Sequence, residues 1–136
     1  KKGDIVRIHF DMPVRTVVAN QNVKDDEGRV AVERGPIVYC AEAADNQGEP
    51  VLRAIMSKKP AFSIVNDYKI NNTETKGAAP FAVKAITTQA QILNDSDNGV
   101  SLKNQKLTLI PYYAWNHRGA GEMNVWFVQS LMMLDK

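Results

Sequence analysis

Alternation with a period of two dominates this chain. Val6, Ile8, Phe10 and Met12 alternate with Arg7, His9 and Asp11. Successive side chains of a strand point to opposite faces, so this stretch predicts a half-buried strand with one dry and one wet face. Pro13 interrupts the ladder, and Val14 to Ala19 resumes it. Lys24 to Gly28 is a polar turn, and Arg29 to Glu33 alternates again. Arg34-Gly35-Pro36 predicts a corner, since Gly permits unusual dihedrals and Pro fixes its own. Ile37-Val38-Tyr39-Cys40-Ala41 is apolar at every position. That composition predicts a central strand covered on both faces.

The middle of the chain is less regular. Asp45 to Pro50 reads as a loop, and Val51 to Ser63 as a strand, a turn and another strand. Lys58-Lys59-Pro60 stops any helix there. Ala61 to Val65 is a short strand candidate, and Lys69 to Pro80 is a polar loop. Phe81 to Thr88 has strand-forming residue types, whereas Gln89 to Leu93 is ambiguous. Asn94 to Gly99 is the clearest turn. Gln105 to Ala114 and Glu122 to Gln129 supply the last strand candidates. No segment keeps helical periodicity over three turns, and no unit of 20–50 residues repeats. Short strands divided by turn signals predict an all-β fold, an antiparallel β-sandwich of jelly-roll type, with residues 1–136 as a single domain.

Composition narrows the function classes. The 136 residues hold 17 Lys plus Arg against 15 Asp plus Glu, a net charge of +2. Such a balance excludes the basic surface of a nucleic-acid binder, and no apolar run reaches the length of a membrane-spanning helix. The start at Lys1-Lys2-Gly3-Asp4, with no initiator Met and no signal-peptide pattern, predicts a piece of a longer polypeptide. Asn71-Asn72-Thr73 and Asn94-Asp95-Ser96 match the glycosylation pattern, which matters only in a eukaryotic secretory route.

Motifs for chemistry are nearly absent. There is no Gly-rich phosphate loop, no HExxH and no CxxC. Cys40, the single cysteine, lies inside an apolar strand and is expected to be a small buried hydrophobe rather than a nucleophile. His9 is expected on a wet strand face, far in sequence from His117. No catalytic residue and no metal ligand is assigned.

Two segments are dense in special residues. One is Gly28 to Glu42, GRVAVERGPIVYCAE, and the other is Leu109 to Phe127, LIPYYAWNHRGAGEMNVWF. On a structural reading, Glu33, Arg34, Gly35 and Pro36 form a corner, and Glu33, Arg34, Arg118 and Glu122 pair to pin corners together. On a functional reading, Tyr112, Tyr113 and Trp115 stack on sugar rings while Asn116, His117 and Arg118 bind hydroxyls. The structural reading is favoured, because core aromatics are commoner than binding platforms.

Both strings resemble the C-terminal region of glycoside hydrolase family 127, the β-L-arabinofuranosidase-like proteins once described as a domain of unknown function. GDIVRIHFDMPVR, Gly3 to Arg15, fits the strand just before the first string. Residues Val51 to Asn104 carry no matching motif. The resemblance implies an N-terminal (α/α)6 barrel followed by β-sandwich domains. It places the chemistry in the barrel, as retaining hydrolysis by a zinc-bound cysteine nucleophile with a glutamate acid/base. No residue here matches those motifs, so zinc belongs to the barrel and this fragment takes no cofactor. The implied role is a non-catalytic accessory domain bracing the barrel, with a carbohydrate-binding module as the alternative. The implied partners are that barrel, a homodimer mate and a plant-type oligosaccharide, and neither nucleic acid nor membrane. The resemblance leaves the compartment of the bacterial cell open between cytoplasm and periplasm.

Overall fold

The computed structural model describes residues 2–97 and 99–129. Among these residues it contains nine strands: β1 (Val14–Val18), β2 (Arg29–Arg34), β3 (Ile37–Glu42), β4 (Ala54–Met56), β5 (Ser63–Ile70), β6 (Phe81–Ser96), β7 (Gly99–Pro111), β8 (Met123–Asn124) and β9 (Phe127–Val128). Short 3-10 turns occur between them, and no α-helix is present among the described residues. The all-β expectation therefore holds.

The strand pairing departs from two separate sheets. From β2 the ladder passes to β9, β4, β6, β7 and β3, and β3 pairs with β2 again. The six strands close a ring, with β1, β5 and β8 attached to β2, β6 and β3. The closure depends on β2 being shared: Arg29 and Val30 face Val128 and Phe127 of β9, whereas Val32 to Arg34 face Tyr39 to Ile37 of β3. All ladders are antiparallel except β4–β9, where Ile55 meets Val128.

The core follows from this closure. Every strand of the ring contributes to one cluster: Val30 and Val32, Tyr39 and Ala41, Ala54 and Met56, Ile86 and Ile92, Leu107 and Leu109, and Phe127. Closing the ladder turns one face of each strand inward, where alternate side chains fill the interior. A second cluster of Cys40, Ile70, Val83, Ile110 and Ala114 is covered by Tyr68, Phe81, Met123 and Val125. Neighbours Tyr39 and Cys40 thus serve different clusters, so β3 is covered on both faces, as its apolar run predicts.

The β2–β3 corner is a two-residue hairpin. Gly35 has φ of +55° and Pro36 follows it. Positive then negative φ is the sign pattern of a type II′ turn, which matches the twist of the flanking strands. Long β6 and β7 pair from Ile86↔Leu109 to Ser96↔Gly99. The ambiguous Gln89–Leu93 is therefore strand, and Asn94 to Ser96, expected in a turn, continue it. The ladder to β7 outweighs their turn propensity.

One expected strand is missing. Residues 4–12 belong to none of the nine strands, and Ile5, Val6, Ile8 and Phe10 are 82, 83, 73 and 76% exposed. Alternation shows that a strand has an apolar face; it does not supply the surface that covers it.

Candidate functional site

The first dense segment leaves β3 at Glu42 and turns through Ala43–Asp45; the second follows β7 through a 3-10 turn at Tyr112–Ala114. The antiparallel pairing of Tyr39 and Cys40 with Pro111 and Ile110 sets the two segments side by side, and the second returns to the end of β3 where Ala41 and Glu42 pair with Asn124 and Met123. There the Arg118 side chain, only 12% exposed, enters between Asp45 and Glu42. Its Nη1 and Nη2 donate to the two Asp45 oxygens at 2.5 Å each, and Nη2 also donates to Glu42 Oε2. The Tyr68 hydroxyl donates to Asp45 Oδ1 at 2.8 Å. The end-on fork suits a planar guanidinium. The hydrogen bond to Asp45 is the main cause that holds the guanidinium above its ordinary range, with burial opposing it. Burial, then the Asp45 hydrogen bond, pushes the Tyr68 phenol up to about 12.

Asn46 anchors the same turn. Its Nδ2 donates to the carbonyls of Glu42 and Thr108, and its Oδ1 accepts from the Thr108 N–H at 2.8 Å. A buried amide thereby acts as an extra strand rung beside β7. Glu42, Asp45, Asn46 and Tyr68 were invisible to the sequence reading. Arg118 lies 73 residues from Asp45, and no local pattern encodes such a pairing.

The expected corner partners rearrange. Arg118 binds Glu42 and Asp45, while Glu33 binds Arg15 at 2.8 Å. Glu122 accepts from the Leu52 N–H at 3.3 Å, and Arg34 Nη1 approaches Met12 Sδ at 3.9 Å. Glu33 and Arg34 lie beside the start of β3, whereas Glu42 and Asp45 lie at its end, so the four expected residues do not meet in one cluster.

The aromatic and polar candidates also separate. Tyr112 and Trp115 stack on each other, with ring centroids 6.0 Å apart. Asn116, at φ +66°, turns the chain; His117 then packs edge-on to Phe81, and its Nδ1 lies 2.9 Å from the Trp115 carbonyl oxygen. Tyr113, 66% exposed, points elsewhere, to a cleft of about 660 Å³. Arg34, Tyr39, Asn66, Asp67 and Lys84 share that lining. The Tyr39 hydroxyl donates to the Lys84 carbonyl, Lys84 Nζ donates to Asn66 Oδ1, and Asp67 sits at φ +56° where β5 bulges. Of the expected sugar-facing group, Tyr113 therefore joins the corner residue Arg34 in a cleft, and Arg118 joins the buried network.

Cys40 is wholly buried. Burial first, and then the Glu42 and Asp45 charges, push its thiol up to about 12. A nucleophilic or zinc-binding cysteine needs the opposite, a stabilised thiolate. No three His, Cys, Asp or Glu gather as a metal cage among the described residues.

Residues 14–128 match the family model of the glycoside hydrolase family 127 C-terminal domain. A non-reducing end beta-L-arabinofuranosidase of Bifidobacterium longum subsp. longum is 34% identical over 129 residues, covering 90% of this chain and 20% of that protein. A solved GH127 beta-arabinofuranosidase is 43% identical with a TM-score of 0.76, covering 91% of this chain and 18% of the other. A GH127 beta-L-arabinofuranosidase from Geobacillus stearothermophilus T6 is 28% identical with a TM-score of 0.68, covering 88% and 18%. The chain spans about one fifth of the length of these relatives. It belongs to glycoside hydrolase family 127, as the family's C-terminal domain.

Proposed function

We propose that this domain is a non-catalytic accessory module, bracing the (α/α)6 catalytic barrel of a β-L-arabinofuranosidase-like hydrolase. The observation that carries this reading is the match to a C-terminal domain that makes up only a fifth of each relative. The fate of the reactive residues supports it. Cys40 is sealed in the core as a thiol, and Arg118 is taken up by ion pairs with Glu42 and Asp45. Zinc chemistry then belongs to the barrel alone. The chain by itself is expected to release no arabinose from β-L-arabinofuranosides, with or without zinc. Turnover that Cys40→Ser abolishes would overturn the reading.

A second reading, a carbohydrate-binding module, rests on Tyr113. An exposed ring beside Arg34, Asn66, Asp67 and Lys84 offers a stacking face and groups that bind hydroxyls. Calorimetric titration with arabinose-bearing plant oligosaccharides decides between the readings. Heat that Tyr113→Ala removes supports the cleft, and heat that Trp115→Ala removes supports the Tyr112–Trp115 stack. No heat at millimolar sugar leaves the bracing role.

A further inference from the structure

Val6 to Met12 alternate apolar and polar at every position, yet the folded domain leaves Val6, Ile8 and Phe10 exposed. Val6, Ile8, Phe10 and Met12 define one face. Only the last of them rests on this domain. Met12 is half-buried against the corner, so close to Gly35 that a Cβ there would lie 2.9 Å from its Cε. Gly35 N–H donates to the Pro13 carbonyl at 3.3 Å, fixing where the segment meets the domain. Phe10, Ile8 and Val6 extend away from that anchor, each at least 73% exposed. On the other face, His9 Nε2 and Asp11 Oδ1 lie 3.5 Å apart beside Arg7, a mixed-charge surface suited to water.

We propose that residues 5–12 form a strand of a neighbouring domain of the same polypeptide, docking with Val6, Ile8 and Phe10 into that domain's core. This rests on the reading of the chain as one module of a longer hydrolase. Two observations select the occupant. The match to the family's C-terminal domain begins at Val14, so the segment lies outside the matched residues. The relatives are about five times as long as this chain, which supplies a neighbour within the same molecule. Three large apolar side chains at every second position fit a sheet that lacks one strand, where main-chain hydrogen bonds join burial of alternate side chains. An uncovered strand of this kind is an aggregation hazard, which covering it removes. The segment would then be a structural strap: its far part belongs to one domain, and Met12 to the corner of the next.

Amide hydrogen exchange on the full-length gene product and on residues 1–136 alone tests this. In the short chain the amides of Val6, Ile8 and Phe10 should exchange within about tenfold of the unstructured rate. In the full-length protein they should slow at least about 100-fold, and Ile8→Asp should return them to fast exchange. Fast exchange in both forms would overturn the strap. Sedimentation of the full-length protein as a dimer that Phe10→Asp dissociates would also overturn it, since the occupant would be a second copy; a dimer of the short chain alone is what an uncovered strand gives. A gene product with no further domain would instead remove the accessory-module reading on which the strap rests.

Discussion

Strand β3 and the segment 4–12 are two apolar stretches with opposite fates. β3 is covered on both faces, with Tyr39, Cys40, Ala41 and Glu42 at most 2% exposed. In the other, Ile5, Val6, Ile8 and Phe10 are at least 73% exposed. Hydrophobicity does not separate them; pairing does. β3 has β2, β7 and β8 as neighbours, and polar side chains tie down its end through Arg118 and Asn46. Among residues 5–13 the contacts to this domain are at Met12 and Pro13. A strand is stabilised by cross-strand neighbours and by whatever covers its face, both of which lie elsewhere in the chain.

The contrast is sharpest where a buried charge holds β3. Arg118→Met leaves Glu42 and Asp45 buried without their counter-ion. Breaking a buried pair in this way costs about 3–5 kcal/mol, to be read from the urea midpoint. A loss below about 1 kcal/mol would mean that the network does not hold the end of β3. Asn46→Ala removes the amide that bonds Glu42 and both backbone groups of Thr108. About 1–3 kcal/mol should be lost, because buried carbonyl and amide groups are left without partners.

A smaller effect is set by pH. The Cys40 thiol rises from 9.0 to about 12 in the folded chain, so the neutral form is the one the fold favours. Its contribution is complete below pH 9, where the unfolded thiol is also protonated, and is lost as pH climbs towards 12. Between pH 9 and 10 the unfolded thiol gives up its proton first, and stability should fall by up to about 1.4 kcal/mol per pH unit. Cys40→Ala should flatten that decline in a series of urea melts. An unchanged slope would show that the thiol does not titrate differently on folding. Tyr68 adds the same sign of loss between its ordinary 10.0 and about 12.

Local signals account for much of what was legible. The Arg34-Gly35-Pro36 corner follows from the φ preferences of Gly and Pro, and β3 follows from an unbroken apolar run. The two dense strings, Gly28–Glu42 and Leu109–Phe127, pointed to the family, and Tyr113 and Arg34 from them line one cleft. The partners of Arg118 were not legible, because Glu42 and Asp45 lie 76 and 73 residues away and look like ordinary loop-side acids. Nor did the pattern distinguish a sandwich from a ring. Inward and outward alternation is the same in both, and only the sharing of β2 between β3 and β9 closes the circuit.

The sequence by itself determined an all-β chain, its main corner, its doubly covered strand and its family. Period, glycine and proline act within a few residues, and they are written locally. Tertiary structure alone decided the order of strands around the ring, the partners of Arg118, and the exposure of residues 4–12. Those outcomes depend on which distant surfaces meet. Alternation creates an apolar face without naming the residues that cover it.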